Sequence, residues 1–299
     1  MRIGTVTSIC AYFGLAPYLF FVKKNMLARL LQDVKRLLLR CKLRLYLLLS
    51  RPFFCEPPDV YEPNVYFFRF GIPLVLKRTC RTVSTEADAL RFLNRATPTS
   101  PIPKLIDSFQ VDGATYTLMT KLPGRPLLKM DELSPKELSL VTGDILTILD
   151  ELWRIPQPMS LASQVMSSAS GHGLPHPVFF REEIAGPYGS TIDCYESMQI
   201  NTSKQSPEVL KPIIDDAIVW VHTDLTMRNV LIENGRVSGI IDWEDAGWLP
   251  RHWLLHILRR PRPGCQGIWV RFWINDYRFD PAIEDAYNAS KTMIIYPFS

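Results

Sequence analysis

Val219-Trp220-Val221-His222-Thr223-Asp224-Leu225-Thr226-Met227-Arg228-Asn229-Val230-Leu231-Ile232-Glu233-Asn234-Gly235-Arg236-Val237-Ser238-Gly239-Ile240-Ile241-Asp242-Trp243-Glu244 is the stretch whose reading decides the fold. Asn234-Gly235 stands between two runs rich in β-branched residues, the strongest short-range hairpin signal a sequence offers. A two-residue turn in perfect register sets Asn229 opposite Ile240. Asp242 then projects from the same face two residues further on, as a diagonal neighbour whose Cβ lies within roughly 7–8 Å. Oxygens so placed are expected to share one hard cation.

Magnesium takes oxygen ligands and is held by one or two protein groups together with substrate phosphates. Asp224 lies five residues before Asn229, on the loop entering the hairpin, where a carboxylate can accept the proton of an attacking hydroxyl. Any one exposed acid on a hairpin is ordinary. The joint pattern H-x-D-x-x-x-x-N, hairpin, I-D-W-E is much more specific, and it has the layout of a kinase catalytic loop followed by its metal-binding Asp.

Upstream, Val65 to Phe70 and Leu74 to Lys77 read as two strands, and Thr85 with Asp88 forms a capping box that opens a helix to about Arg95. Leu105 to Gln110 and Thr115 to Met119 read as two more strands, joined across Asp112-Gly113. Leu122-Pro123-Gly124-Arg125-Pro126 reads as a tight linker, and Leu133 to Trp153 as a long helix. Residues 156–207, rich in Ser, Pro and Gly, read as a loop-heavy insertion of the kind that shapes specificity. The order is strand, strand, helix, strand, strand, and then a helix-rich remainder, so two lobes are expected. The boundaries fall at 1–52 for an amino-terminal arm, 53–124 for a small lobe with its linker, and 125–299 for a larger lobe.

With these motifs in place the chain resembles the aminoglycoside phosphotransferase family of protein-kinase-like folds, and its large fungal branch in particular. Ile241-Asp242-Trp243-Glu244-Asp245-Ala246-Gly247-Trp248-Leu249-Pro250-Arg251-His252-Trp253 carries the second motif, and the likeness spans about residues 65–255. It implies an α+β, bilobal fold with a small antiparallel-sheet lobe and a larger, mainly helical lobe. It also implies an ATP- and magnesium-dependent transfer of the γ-phosphoryl group to a hydroxyl of a small-molecule acceptor. On that resemblance Asp224 is the catalytic base, Asn229 and Asp242 are magnesium ligands, and His222 supports the loop. Lys77 holds the α/β-phosphates and pairs with Glu86, while the segment Thr117 to Gly124, with Met119 and Lys121, is the hinge that lends backbone groups to adenine. Glu244 is either a partner of the metal's ligands or a loop anchor. Two departures stand out: Thr223 replaces a glycine, and the loop near Gly71 lacks a multi-glycine clamp.

Other chemistries find no footing. The chain has no G-x-S-x-G elbow, no G-x-x-x-x-G-K-[ST] loop and no G-x-G-x-x-G fingerprint. His252-Trp253-Leu254-Leu255-His256 has zinc-helix spacing without the Glu general base, and reads as a helix at the domain surface. The six cysteines form no C-x-x-C pair, which fits a reducing compartment. A protein kinase is the weaker alternative, since no A-P-E segment follows Asp242. A non-catalytic, pseudokinase-like binding module is the other. The acceptor is expected to be a hydroxylated metabolite rather than a polycationic antibiotic, because only Glu182, Glu183, Asp193 and Glu196 stand in the insertion to meet one.

The 299 residues are 47% hydrophobic and 21% charged, with net charge +4, a composition that excludes global disorder and collagen-like repetition. The charge is uneven: residues 1–51 hold ten Lys/Arg against the single acid Asp33, so the arm is strongly basic and the body mildly acidic. That body has no nucleic-acid footprint. Residues 5–22 form an uncharged run at the lower limit for a spanning helix, ended by Lys23 and Lys24. From Leu27 to Leu48 the apolar residues keep helical spacing in a stripe roughly 120° wide, across from Arg29, Arg36, Arg40 and Arg44. Three placements of the arm stay open: spanning a membrane, lying on one, or packing against the body with Leu27 to Leu48 in an intramolecular groove. In each the body is cytoplasmic, where ATP is.

Overall fold

The computed structural model describes residues 15–53, 64–129, 133–176, 181–262 and 264–294. A long helix, α1 (Leu15–Leu48), leads into strand β1 (Ser50–Phe53). Then follow β2 (Val65–Phe68), β3 (Leu74–Thr79), helix α2 (Glu86–Ala96), β4 (Leu105–Val111) and β5 (Ala114–Thr120). The five strands form one antiparallel sheet in the order β1-β2-β3-β5-β4. The expected arm boundary at residue 52 therefore falls inside a strand, since Ser50 to Phe53 pair with Phe68 to Val65. The run 5–22 lies largely outside the described residues, among which no helix is long and apolar enough to cross a membrane.

Local chemistry accounts for these elements. Thr85 accepts from the Asp88 N–H while the Asp88 carboxylate accepts from the Thr85 N–H, so the capping box closes as its residues require. Asp112 and Gly113 take φ of +51° and +80°, the left-handed pair that a two-residue hairpin turn needs.

The larger lobe opens on β6 (Arg125–Pro126) and helix α3 (Pro135–Trp153), whose cap Ser134 makes a second capping box with Glu137. The insertion contributes β7 (Leu174–His176), β8 (Arg181–Ala185) and the short helix α4 (Thr191–Ser197), and helix α5 (Pro207–Asp215) follows where it ends. Then come β9 (Ile218–Val221), β10 (Val230–Glu233), β11 (Arg236–Ile240) and β12 (Gly247–Pro250), followed by helices α6 (Trp253–Leu258), α7 (Gly267–Arg271) and α8 (Pro281–Met293). The linker does more than connect: its Arg125 and Pro126 pair with Ile232 and Leu231, making β6 the third strand beside the β10–β11 hairpin.

The main core lies in this lobe and includes Trp220, Trp243, Trp248, Trp253, Trp269 and Trp273, all fully buried. Helix α2 joins it from the other lobe. Ala89, Leu90 and Leu93 belong to the same cluster, and Phe92 packs on Trp220 and Trp248 with ring centroids 4.8 and 5.7 Å away. The helix that carries Glu86 is thus fixed against the lobe that carries Asp242.

Two expectations about this lobe are corrected. The hairpin turn has the expected left-handed Asn234 and Gly235, but Ser238 is an extra residue on β11, so Leu231 pairs with Gly239 while Ile232 pairs with Val237. Asn229 consequently faces Ile241, whose N–H donates to its carbonyl at 2.9 Å, and not Ile240. The cause is tertiary. The Ser238 hydroxyl donates to the Pro123 carbonyl at 2.8 Å, and the linker crosses so near that a Cβ on Gly124 would lie 2.6 Å from the Ile232 carbonyl oxygen. The second correction concerns His252 to His256, which is not at the surface: every residue of α6 is buried, as is His252 before it.

Candidate active site

Lys77 sits on the central strand β3 with its ammonium buried among carboxylates. Its Nζ lies 2.9 Å from Glu86 Oε2, 2.6 Å from Asp242 Oδ1 and 3.3 Å from Glu244 Oε1. Burial alone would lower the Lys77 pKa, but the charges of Asp242, Glu86 and Glu244 outweigh it and hold it well above the ordinary lysine value. Glu86 reaches further, accepting the Trp243 N–H at Oε1, 3.1 Å away. One glutamate on α2 therefore ties the strand lysine to the turn that follows Asp242.

Asp242 has φ of +67°, in the left-handed region that a non-glycine residue rarely enters. With the hairpin register shifted, this turn and not the strand pleat carries the carboxylate to Lys77. Burial would raise the Asp242 pKa, yet Lys77 beside it keeps the group ionised and below the usual aspartate value. Strained backbone of this kind persists where the surroundings over-determine it, and it is concentrated at functional sites.

The loop that carries Asp224 is positioned by His222, which is buried. Its Nδ1 accepts the Asp224 N–H at 3.1 Å, so its Nε2 is the protonated nitrogen and donates to the Ile241 carbonyl at 3.0 Å. Burial lowers the imidazole pKa and keeps it neutral, in the tautomer both bonds require. Thr223, which stands where a glycine was expected, is also buried and donates its hydroxyl to the Asp245 carbonyl at 2.8 Å. The substitution is accommodated by a bond that joins loop to turn.

Asn229 Nδ2 donates to the main-chain oxygen and to Oδ2 of Asp224, both at 2.8 Å. The amide therefore faces Asp224 directly and leaves its oxygen, the hard donor, on the other side. Asp224 Oδ1 is taken by Arg262, 3.1 Å away. No sequence motif marked Arg262, which lies 38 residues beyond Asp224; only the fold brings it there.

Arg81 is the other residue that the sequence did not single out. It lies after β3 and pairs with Glu244 at 3.2 Å and Asp245 at 2.7 Å. Glu86, Asp242, Glu244 and Asp245 thus gather around Lys77 and Arg81, four carboxylates against two cations. The imbalance raises the pKa of Glu86, through burial first and then Asp242 and Glu244, and it raises that of Asp245, where burial first, and then Glu244 and Asp242, overcome Arg81 and bring it to about 6. A site with two negative charges in excess, hard oxygen donors and a 38% exposed Asp242 side chain fits a bound divalent cation. Among the described residues no group of three or more His, Cys, Asp and Glu is arranged to hold a metal by itself, so phosphate oxygens would have to complete the shell.

The expected hinge residues stand apart from this cluster. Met119 is buried in β5, flanked by Val75 on one side and Leu105 on the other. The Lys121 N–H is already given to the Pro73 carbonyl at 2.8 Å, and its ammonium lies 5.1 Å from the Phe67 ring centroid. Neither presents a free main-chain donor, because the sheet uses them.

Residues 56–264 match the family model described as the phosphotransferase enzyme family. The chain belongs to that family. Its structural neighbours include aminoglycoside phosphotransferase APH(4)-Ia, 16% identical with a TM-score of 0.53, the match covering 82% of this chain and 85% of that one. The apo form of a thermostable mutant of the same enzyme is 18% identical with a TM-score of 0.51, covering 77% and 82%. At such identity the likeness establishes the fold, an α+β protein-kinase-like architecture. No curated protein matches the chain. The phosphotransferase is therefore a small-molecule kinase by family, and the cluster around Lys77 and Asp224 is its candidate site.

Proposed function

We propose that this phosphotransferase moves the γ-phosphoryl group of ATP to a hydroxyl of a small-molecule acceptor with magnesium bound at Asn229 and Asp242. The observation that carries the reading is the position of Lys77, shared between Glu86 and Asp242 at the centre of a cluster with two unbalanced negative charges. ATP phosphates would draw the Lys77 ammonium from Asp242 while Glu86 keeps it oriented, and Asp242 would turn to the metal. Magnesium, when bound, would neutralise charge on the phosphates. Asp224 would accept the acceptor's proton as its oxygen bonds to the γ-phosphorus and the bond from that phosphorus to the bridging oxygen breaks. Arg262 and Asn229 each hold one carboxylate oxygen of Asp224, which would fix its orientation toward the acceptor.

For the acceptor we propose a neutral hydroxylated metabolite. An aminoglycoside, the class named for the structural neighbours, is a polycation and calls for clustered acids. Of the four acids in the insertion, Glu196 is committed to the Thr202 hydroxyl at 2.6 Å, Asp193 stands in the first turn of α4, and the side chains of Glu182 and Glu183 lie outside the described set. ADP release with magnesium across a panel of sugars, polyols, amino alcohols and aminoglycosides tests both parts. Turnover on an uncharged polyol or sugar is expected. Selectivity for aminoglycosides would overturn the acceptor assignment, and no turnover on any acceptor, with no ATP binding, would favour a binding module.

A further inference from the structure

Helix α1 has two apolar faces, and the body uses only one. Leu43, Tyr46 and Leu47 pack with Phe68, Leu76 and Leu118 of the sheet, and the Tyr46 ring meets Phe68 and Phe109 with centroids 6.0 Å away. Polar contacts fix the same end: Arg40 pairs with Asp112 at 2.6 Å, Tyr46 donates to Asp107 at 3.0 Å, and Lys42 forms an ion pair with Asp107. Among the described residues no intramolecular groove covers the stripe from Leu27 to Leu48. Leu31, Leu38, Leu45 and Leu48 stay 61%, 64%, 51% and 73% exposed. At about 100° per residue this stripe lies roughly opposite the packed face, so the helix can be fastened to the small lobe and still offer the stripe outward.

We infer that this outward face docks on an anionic lipid surface, holding the phosphotransferase to a membrane by its small lobe. Charge selects the occupant. Between Leu27 and Leu48 the helix carries Arg29, Lys35, Arg36, Arg40, Lys42 and Arg44 against Asp33 alone, and these cations flank the apolar stripe on both sides. A basic border around an apolar face is what an interfacial helix needs, with leucines at the acyl boundary and cations among the headgroups. A second copy of the chain is the competing occupant, because Leu27, Leu31, Val34, Leu38, Cys41, Leu45 and Leu48 keep the alternating four-three spacing of a coiled-coil seam. Pairing two such helices would set cations against cations along the whole contact, whereas phosphatidylserine headgroups neutralise them. The inference does not depend on the reaction proposed for the cleft.

Co-sedimentation of the full-length chain with vesicles tests it, using phosphatidylcholine alone and an equal mixture of phosphatidylcholine and phosphatidylserine. The bound fraction is expected to rise by at least about tenfold with phosphatidylserine and to fall in high salt. Leu31→Glu with Leu38→Glu should abolish the gain, and Arg29→Glu with Lys35→Glu should reduce it by about tenfold, both with an unchanged melting midpoint because these side chains are exposed. Equal binding of wild type and both variants would place any membrane contact in residues 5–22 and overturn the inference. So would equal binding to the two vesicle types, or no binding together with a dimer that the leucine variant dissociates.

Discussion

Two of the buried polar networks among the described residues are built on opposite rules. Around Lys77, four carboxylates face two cations, a backbone turn is held at positive φ, and the Asp242 side chain keeps contact with solvent. Around His252, behind the catalytic lobe's tryptophans, every charge is matched. Asp216 accepts from Arg251 Nε, from the His252 N–H and from His252 Nδ1, all at 2.8 Å. The Tyr195 hydroxyl lies 2.8 Å from His252 Nε2 and 2.5 Å from the Ser290 hydroxyl, which lies 2.7 Å from His256 Nε2. One aspartate, one arginine and two neutral imidazoles leave no net charge. The balanced network joins α4, α6, α8 and the start of β9, and serves packing. The unbalanced one has charge left for a ligand to meet, and that difference is what singles it out as the proposed active site.

Substitutions should separate the two. The largest effect on turnover is expected from Asp224→Asn, a loss of about 10²–10⁴ in kcat with little change in ATP affinity, because in the proposed reaction Asp224 acts on the acceptor and not on the nucleotide. Steady-state kinetics with separate ATP titration checks it, and a parallel loss of ATP binding would count against the role. Asp216→Ala should do the reverse: it leaves Arg251 without its buried partner and is expected to lower stability by about 3–5 kcal/mol in urea unfolding. The protein that remains folded should keep the wild-type KM for ATP.

The pH dependence should also divide. Burial keeps His252 below its ordinary pKa of 6.5 and His256 well below it, so the unfolded chain binds more protons as pH falls under that value. Their contribution is complete above pH 6.5 and is lost on acidification, at up to about 1.4 kcal/mol per pH unit for each withheld proton. Asp245 has the opposite sign. Its pKa is raised from 3.8 to about 6, so the folded state holds the extra proton and stability falls as pH rises through that window. Melting midpoints between pH 4 and 7 should therefore show a shallower acid limb in His256→Gln and a steeper one in Asp245→Asn. Shifts of the same sign would deny the contrast.

The smallest effect is expected at Thr223. Thr223→Gly removes the bond to the Asp245 carbonyl and should cost about 1 kcal/mol in stability while changing kcat by less than about twofold. A large gain in turnover would show that the threonine restrains the loop.

What the sequence disclosed followed from local rules. The left-handed pairs Asp112-Gly113 and Asn234-Gly235, the Thr85 and Asp88 capping box, and the spacing of His222, Asp224, Asn229 and Asp242 are each dictated by neighbours a few residues away. What it withheld was set at long range. The bulge at Ser238 exists because the linker crosses at Pro123 and Gly124, more than a hundred residues earlier, and it changes which face Asn229 meets. Arg262 and Arg81 reach their carboxylates only through the packing of the lobes. The burial of His252 to His256 was partly visible: apolar residues fill every position between the two histidines, a pattern a surface helix does not show.

Magnesium-dependent ATP binding to Asp242→Asn tests the central claim most directly, measured by calorimetry beside wild type, with the melting midpoint recorded to show that the variant is folded. If the excess negative charge around Lys77 is the site of the metal-bound nucleotide, wild type should bind ATP more tightly with magnesium than with EDTA, and the variant should lose that difference. An Asp242→Asn protein that binds ATP with undiminished magnesium dependence would contradict it.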